Sequence, residues 1–209
     1  MQRLSKLLSF RPDVRIRVCS SLDDIIISSF EQPAHSWVRN FYNFLYCSSL
    51  GIFPSGSSWG DGYLSMRSTD GTYRNPNQYD VGYYINGPVS NSNYGILTGR
   101  GATAVALSDY ALVTPITHGT GANQLGHRAQ ALASPSYTAE TRTWLATLTR
   151  LFDNTSGSTI TVTECGIVGC THASSFYNLL CRDVLASSVD VLNNGVLTIS
   201  YDISMIFPS

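Results

Sequence analysis

Residues 196–206 read Val-Leu-Thr-Ile-Ser-Tyr-Asp-Ile-Ser-Met-Ile, and this stretch decides the fold class. Apolar and polar side chains alternate strictly from Leu197 to Ser204, which is the period of two that a half-buried β-strand requires. The same alternation covers residues 159–164, where threonine occupies every second position. A strand with one apolar face must bury that face against another layer. The two stretches therefore predict packed antiparallel sheets.

Working outward, the C-terminal part keeps this character, with segments rich in Thr, Val, Ile, Leu and aromatic residues. Clusters of Gly, Asn, Asp and Ser separate the segments, as turns separate strands. The predicted strands are residues 102–107, 125–132, 141–152, 159–168, 176–184 and 196–206. Because no helical period intervenes, residues 95–209 are predicted to form an antiparallel β-sandwich or a jelly roll, in a protein that is mainly β.

Residues 1–50 have a different pattern. Five basic residues and one acid lie between positions 1 and 17, so this segment is a basic arm. Residues 14–18 alternate as a short strand, and residues 25–27 are a second strand candidate. Apolar residues at spacings of three and four then predict an amphipathic helix from about residue 33 to 47.

Residues 51–94 contain seven Gly, six Tyr and five Asn, a composition typical of turns. A structureless loop of this length is improbable inside a domain, so we expect an ordered Gly/Tyr/Asn-rich loop region. Two interpretations stay open. The tyrosines form a contact surface for a partner, or the region packs on itself.

The composition excludes several classes of function. Charged residues make up 13% of the chain, against roughly 25% in typical soluble proteins. A net charge of −1 gives no global attraction to nucleic acid, and no apolar stretch is long enough for a membrane span. The N-terminal apolar run is too short for a secretion signal, so synthesis in a cytoplasm is expected.

One catalytic motif occurs, Gly-Ser-Ser-Trp-Gly at residues 56–60, which matches the G-x-S-x-G pattern around a nucleophilic serine at Ser58. That motif must follow a strand and open a helix, yet Pro54 precedes it and Asp-Gly follows it. Ser58 is therefore predicted to be a loop serine, and a serine hydrolase is the least favoured function.

A second candidate is a metal site made of Cys165, Cys170, His172 and Cys181, whose residue types suit tetrahedral zinc. The order lacks the short C-x2-C spacing, and positions 165 and 170 fall on opposite faces of one strand. The prediction is that none of the five cysteines binds metal or forms a disulfide, and that the protein has no cofactor.

Several short stretches carry a further signal. They read Ala-Thr-Ala-Val at 102–105, Asp-Tyr-Ala-Leu at 109–112, Pro-Ile at 115–116, His-Gly-Thr-Gly at 118–121, Arg-Leu-Phe-Asp-Asn-Thr-Ser-Gly at 150–157, Ser-Thr-Ile-Thr-Val-Thr-Glu-Cys-Gly-Ile at 158–167, Leu-Cys-Arg-Asp-Val at 180–184 and Leu-Thr-Ile-Ser-Tyr at 197–201. Together they resemble a type of β-rich structural protein encoded in tailed bacteriophage genomes. The resemblance implies a non-enzymatic virion component, with head, neck and tail all open as its place.

The residues point the same way without the resemblance. Protein interfaces are depleted in Lys and Glu and enriched in Tyr, Trp and Arg, and this chain has one Lys, three Glu, twelve Tyr and twelve Arg. A genome-wide preference for Arg over Lys is the alternative explanation. The predicted assembly contacts are Arg3, Lys6, Arg11, Arg15, Arg17, Trp59, Tyr63, Tyr73, Tyr79, Tyr83 and Tyr84.

The expected partners are copies of the chain and other virion proteins, without a small-molecule substrate, membrane or nucleic acid. Residues 1–19 are predicted to become ordered on assembly, with Asp183, Asp190 and Asp202 of an adjacent copy as acidic partners. Deleting residues 2–17 should then leave a folded protein that cannot assemble. The rival class is a carbohydrate-binding β-sandwich that stacks sugars on Trp59.

Overall fold

The structure is a computed structural model, and it describes residues 13–34, 37–50, 65–74, 83–132, 134–171 and 176–207. Antiparallel sheets pack against each other around a shared apolar core. The predicted fold class, a mainly β protein built as an antiparallel sandwich, is confirmed at this level. Within the described ranges, no helix is long and apolar enough to cross a membrane.

The elements, in chain order, are β1 (Asp13–Leu22), β2 (Ile25–Pro33), α1 (Arg39–Leu50), β3 (Met66–Arg67), β4 (Tyr73–Arg74), β5 (Tyr83–Tyr84), β6 (Gly95–Gly99), β7 (Gly126–His127), β8 (Ala131–Leu132), β9 (Ser136–Thr138), β10 (Thr143–Asp153), β11 (Ile160–Thr171), β12 (Tyr177–Val191) and β13 (Val196–Ile206). Sheet A has the order β2-β1-β13-β10, and β7, β8 and β9 pair with the far edge of β10. In sheet B, β12 pairs with β11, and β5 and β6 pair with the other edge of β11. A small separate ladder joins β3 and β4.

The core lies between the two sheets. Alternate residues of β13 (Leu197, Ile199 and Tyr201) are completely buried there. They face Val162 and Cys165 of sheet B, among others. The period of two in the sequence is thus the alternation between this core and the outer face of sheet A.

The N-terminal strand is the first correction. β1 lies inside sheet A, between β2 and β13, and its Val14, Ile16 and Val18 belong to the core. The sandwich is therefore not confined to residues 95–209. The prediction that residues 1–19 become ordered on assembly is wrong for residues 13–19, which are already part of a sheet. Deleting residues 2–17 would remove two core side chains and is expected to unfold the protein.

The helix begins later than predicted. Pro33 ends β2, and α1 starts at Arg39 instead of residue 33. The Ala34 N–H donates to the Val14 carbonyl at 2.7 Å, and the Val38 N–H donates to the Leu180 carbonyl at 3.0 Å. Because the two sheets already bind these backbone groups, the helix can start only after residue 38.

The predicted strand at residues 102–107 is also wrong. This stretch belongs to a long loop between β6 and β7, which we call the cross-loop (residues 100–125). The predicted strand at residues 125–132 is reduced to the two short strands β7 and β8. Side chains from sheet B hold the cross-loop in place, as shown below.

Candidate assembly interface

β1 and β2 form a hairpin whose turn is Asp23 and Asp24. Both residues have positive φ, 48° and 64°, a conformation that Asp tolerates better than most residues. Two positive φ values in a two-residue turn match the twist of the paired strands. A register shift after Ser20 leaves Ile27 outside the ladder as a bulge.

The end of this hairpin exposes three consecutive isoleucines. The exposed fractions of Ile25, Ile26 and Ile27 are 67%, 64% and 48%. Among the described residues, no strand pairs with the outer edge of β2. We call these three residues and that edge the hairpin patch. Exposed apolar edges are sites at which a further strand adds.

The inner side of β2 is held firmly. The side-chain amide of Gln32 donates to the Val184 carbonyl at 3.1 Å, and its oxygen accepts from the Ala186 N–H at 2.6 Å. Phe30 packs against the core. β2 is thus fixed to both sheets, so the hairpin patch is presented on an ordered element, which lowers the entropy cost of binding.

Arg17, one of the predicted assembly contacts, is used within the chain. Its guanidinium donates to both carboxylate oxygens of Asp202, at 2.6 and 2.9 Å. Burial acts to raise the pKa of Asp202, but hydrogen bonds from Arg17 and Thr147 outweigh it and lower that pKa. Asp202 thus already has a partner within the chain, and its pairing with an adjacent copy stays a prediction.

Several other acidic and basic residues of the prediction also make contacts within the chain or are buried in it. Arg15 pairs with Glu31 at 2.8 Å and with Asp13 at 3.1 Å on the outer face of sheet A. Asp190 accepts a hydrogen bond from Thr161 at 2.6 Å, and Asp183 is buried. Arg3, Lys6 and Arg11 lie outside the described residues.

Some tyrosines of the loop region contact other side chains of the chain, and some are exposed. Tyr73 is exposed, with the Arg67 guanidinium 5.3 Å from its ring centroid. Tyr84 is half exposed, whereas Tyr94 stacks on Tyr177 at 6.1 Å. Trp59, Tyr63 and Tyr79 lie outside the described residues, as does the side chain of Tyr83. Both interpretations of this region stay open.

All five cysteines have free thiols. Cys165 and Cys181 are buried between the sheets, and the Cys165 sulfur is 3.2 Å from the Tyr201 hydroxyl. Burial raises the pKa of both thiols, so they are poor nucleophiles. The described residues contain no group of metal ligands. His172 and Ser58 lie outside them.

A buried ion pair, which the sequence did not reveal, anchors the cross-loop. The Arg182 Nε donates to Glu164 Oε2 at 2.7 Å, and both side chains are fully buried. Glu164 Oε1 also accepts from the N–H groups of Gly101 and Thr114, each at 2.9 Å. The Arg182 Nη1 donates to Asp109 Oδ2 at 2.9 Å. Three of these contacts, at Gly101, Asp109 and Thr114, thus tie the cross-loop to β11 and β12.

Glu164 faces the cross-loop because β11 contains a bulge. The alternation of the sequence places Glu164 on the same face as Ile160 and Val162. A register shift between Val162 and Glu164 reverses the faces. As a result Cys165 enters the core, while Glu164 leaves it.

This arrangement also explains the Gly-Arg-Gly stretch at residues 99–101. Glycines in such a stretch often serve turns that need positive φ, but neither Gly99 nor Gly101 has positive φ. A Cβ on Gly101 would lie 2.6 Å from Glu164 Oε1, and one on Gly99 would collide with the same oxygen. The glycines leave room for the carboxylate.

Arg150 is the second buried anchor. Its side chain is fully buried, and it donates at 2.8–3.3 Å to five backbone carbonyls. The acceptors are the carbonyl oxygens of Pro88, Asn91, Tyr94, Ile96 and Arg128. Burial lowers the pKa of Arg150 to about 10, so it stays charged at neutral pH. It connects β10 of sheet A with β6 of sheet B.

His127 is buried beside Arg150. Its Nδ1 donates to the Asn91 carbonyl at 2.9 Å, and its ring meets Phe152 edge to face. Burial, together with the nearby charge of Arg150, lowers the pKa of His127 to about 4. The native state therefore holds a neutral imidazole over most of the acidic range.

We expect this histidine to make the fold sensitive to acid. An unfolded His binds its proton near pH 6.5, whereas the native state resists protonation until about pH 4. Stability is thus full above pH 6.5 and falls as the pH drops toward 4, by about 2 kcal/mol between pH 7 and pH 5. Urea unfolding at both pH values should show this fall, and His127→Asn should remove most of it. An equal fall in both proteins would contradict the assignment.

An apolar pocket of about 290 Å³ opens at one end of the sandwich. α1 contributes Phe41 and Phe44, sheet A contributes Leu148 and Ile203, and sheet B contributes Ile167 and Leu180. Trp37 and Ile85 complete the lining. We call this cavity the end pocket.

Comparison of the chain with protein-family models, curated proteins and solved structures gives no match. The class that the fold and the hairpin patch define is an antiparallel β-sandwich with an apolar, open sheet edge.

Proposed function

We propose that the protein is a non-enzymatic structural subunit that assembles through strand addition at the hairpin patch, in the virion of a tailed phage. The observation that carries the proposal is the run of three exposed isoleucines on an open sheet edge. Single exposed apolar residues are ordinary on protein surfaces. A contiguous apolar run on an edge strand attracts other strands and is normally blocked by charges.

The partner that suits this patch best is a second copy of the chain. Antiparallel pairing of two β2 strands about Ile26 would place Ile25 of each copy opposite Ile27 of the other. The same register sets Asp24 opposite Ser28, so like charges do not meet. An interface of this kind is isologous, the commonest type in homo-oligomers.

The virion as the site of assembly rests on the resemblance of residues 95–206 to phage structural proteins. The direct test is mass spectrometry of purified phage particles from the source of this sequence. Peptides of this chain are expected at a fixed ratio to the major structural proteins. If washed particles lack the chain, the virion role is wrong.

A charge placed in the patch should abolish self-association while preserving the fold. We expect Ile26→Lys to weaken association at least tenfold, because an ammonium group cannot be buried in a strand pair without a partner. The matched control is Val89→Lys, since Val89 is equally exposed (65%) but lies in a loop. Sedimentation velocity over a concentration series measures both.

The unfolding free energy should change by less than about 0.5 kcal/mol in either variant, because both sites are exposed. Equal association of the Ile26→Lys and wild-type proteins would remove the hairpin patch from the proposal.

A further inference from the structure

A second cavity, of about 470 Å³, opens at the side of the sandwich, where β2 of sheet A approaches β12 of sheet B. It is lined by Gln32, Trp37, Asp183, Val184 and residues 105–107 of the cross-loop. We call it the side cavity. Its volume lies within the roughly 300–1,000 Å³ of small-molecule sites. The side cavity therefore has the size of a ligand-binding site.

Hydrogen bonds hold the walls of the side cavity in place. Gln32 is bound to the backbone of β12 through both ends of its amide group, as described above. The Arg39 N–H donates to the Leu107 carbonyl at 2.9 Å, and the Ala106 N–H donates to Asp109 Oδ2 at 3.0 Å. A ligand would thus enter a site that is already formed, which lowers the entropy cost of binding.

Asp183 supplies a buried carboxylate to the lining, with an exposed fraction of 2%. Burial, and after it the negative charge of Asp183, raises the pKa of the Cys165 and Cys181 thiols, so these two neighbours stay neutral. A carboxylate in surroundings of low dielectric constant attracts a cation much more strongly than it would in water. The side cavity therefore favours a positively charged ligand.

The other lining residues determine which cation fits. One face of the Trp37 ring stacks on Phe41, with the ring centroids 3.9 Å apart, so a ligand in the side cavity would meet the opposite face. A planar guanidinium stacks on aromatic rings and binds a carboxylate through two parallel hydrogen bonds. Val105, Leu107 and Val184 offer apolar surface to an alkyl stem. From the cavity, the buried carboxylate and the indole ring, we infer that the side cavity binds an alkylguanidinium cation.

An alkylguanidinium group has two possible sources. It is either a free small molecule or the side chain of an arginine in another protein, and both present the same charge and shape to the side cavity. The inference concerns a cavity apart from the exposed isoleucines of the hairpin patch, and it does not rest on the proposed assembly.

Calorimetric titration of the full chain with butylguanidinium tests the inference. The matched probe is butylurea, which has the same shape but no charge, and it should bind at least tenfold more weakly. Asp183→Asn should weaken the binding of butylguanidinium at least tenfold. The control variant is Asp190→Asn, which removes an exposed carboxylate from the same strand and should bind like the wild-type protein. Equal binding of the two probes, or undiminished binding to Asp183→Asn, would overturn the inference.

The place of binding is read from the indole N–H signals of the three tryptophans in nuclear magnetic resonance spectra. Butylguanidinium should shift the signal of Trp37, assigned with Trp37→Phe, and leave that of Trp144 in place. This readout uses the wild-type protein, so it decides the matter even if Asp183→Asn does not fold. A shift at Trp144 without one at Trp37 would contradict the inference.

A third probe, N-acetylarginine amide, separates the two sources, because it presents the side chain as a polypeptide does. If it binds as well as butylguanidinium, the side cavity accepts an arginine of a protein partner. If only butylguanidinium binds, the ligand is a free cation. Failure of both probes to bind at millimolar concentration would overturn the inference.

Discussion

Replacing Arg150 with methionine is expected to lower the free energy of unfolding by about 3–5 kcal/mol. Methionine fills a similar volume, but it donates none of the five hydrogen bonds that the guanidinium makes to backbone carbonyl groups, among them the carbonyl of the buried Ile96. For a chain of this size, the melting temperature should fall by roughly 10 °C. Arg150→Lys should lie between, because an ammonium group has three donors in place of the five of arginine.

Arg128 provides the control for this experiment. It is also an arginine of the same region, but its side chain is half exposed and pairs with Asp153 at 2.6 Å. Exposed ion pairs contribute about 0–1 kcal/mol, so Arg128→Met should be almost neutral. Similar losses for both variants would show that the burial of Arg150 does not matter, and the proposed anchor would be wrong.

The second large effect is expected at Glu164. In Glu164→Gln the amide nitrogen must face one of the donors that now bind the carboxylate, and Arg182 loses a buried counter-charge. Breaking a buried ion pair by removing one partner costs about 3–5 kcal/mol. We expect a loss of that size in urea unfolding.

The same variant should also loosen the cross-loop. Arg100 is an exposed residue at its start, so trypsin cleavage after Arg100 should accelerate at least tenfold. Glu31→Gln is the control, since Glu31 forms an exposed pair with Arg15. If cleavage at Arg100 stays at the wild-type rate, Glu164 does not hold the loop.

The two anchors bear on the proposed function through rigidity. The Glu164–Arg182 pair fixes a long loop to sheet B, and Arg150 connects the two sheets. A subunit that assembles by strand addition needs a sheet that does not rearrange when it binds. The two kinds of variant should therefore affect different properties. Arg150→Met should reduce the folded fraction, whereas Ile26→Lys should reduce association alone.

The sequence itself carries a signal for the hairpin patch. Three consecutive isoleucines beside an Asp-Asp turn do not alternate, so at least one of them must point away from the core. The sequence interpretation predicted a strand at residues 25–27 but assigned the contacts to charges and aromatics. Those contacts stay a prediction, and the hairpin patch is a further candidate beside them.

Local periodicity was sufficient for the long strands of the C-terminal part. The strand predicted at residues 196–206 coincides with β13, and that at residues 141–152 differs from β10 by one or two residues. Alternation in these strands reflects one apolar and one polar face, which is a property of neighbouring residues. Such a signal is visible without knowledge of the partner strand.

Only the tertiary structure determined the features that depend on residues distant in the sequence. The place of β1 inside sheet A depends on pairing with β13, whose partner residues lie 175 to 191 positions later in the chain. The start of α1 depends on backbone hydrogen bonds from Ala34 and Val38 to two different sheets. The role of Glu164 depends on a bulge that reverses the faces of β11 and on Arg182 in the next strand. A side chain's face is a local property, whereas its partner is set by register, and register arises only when the sheets pack.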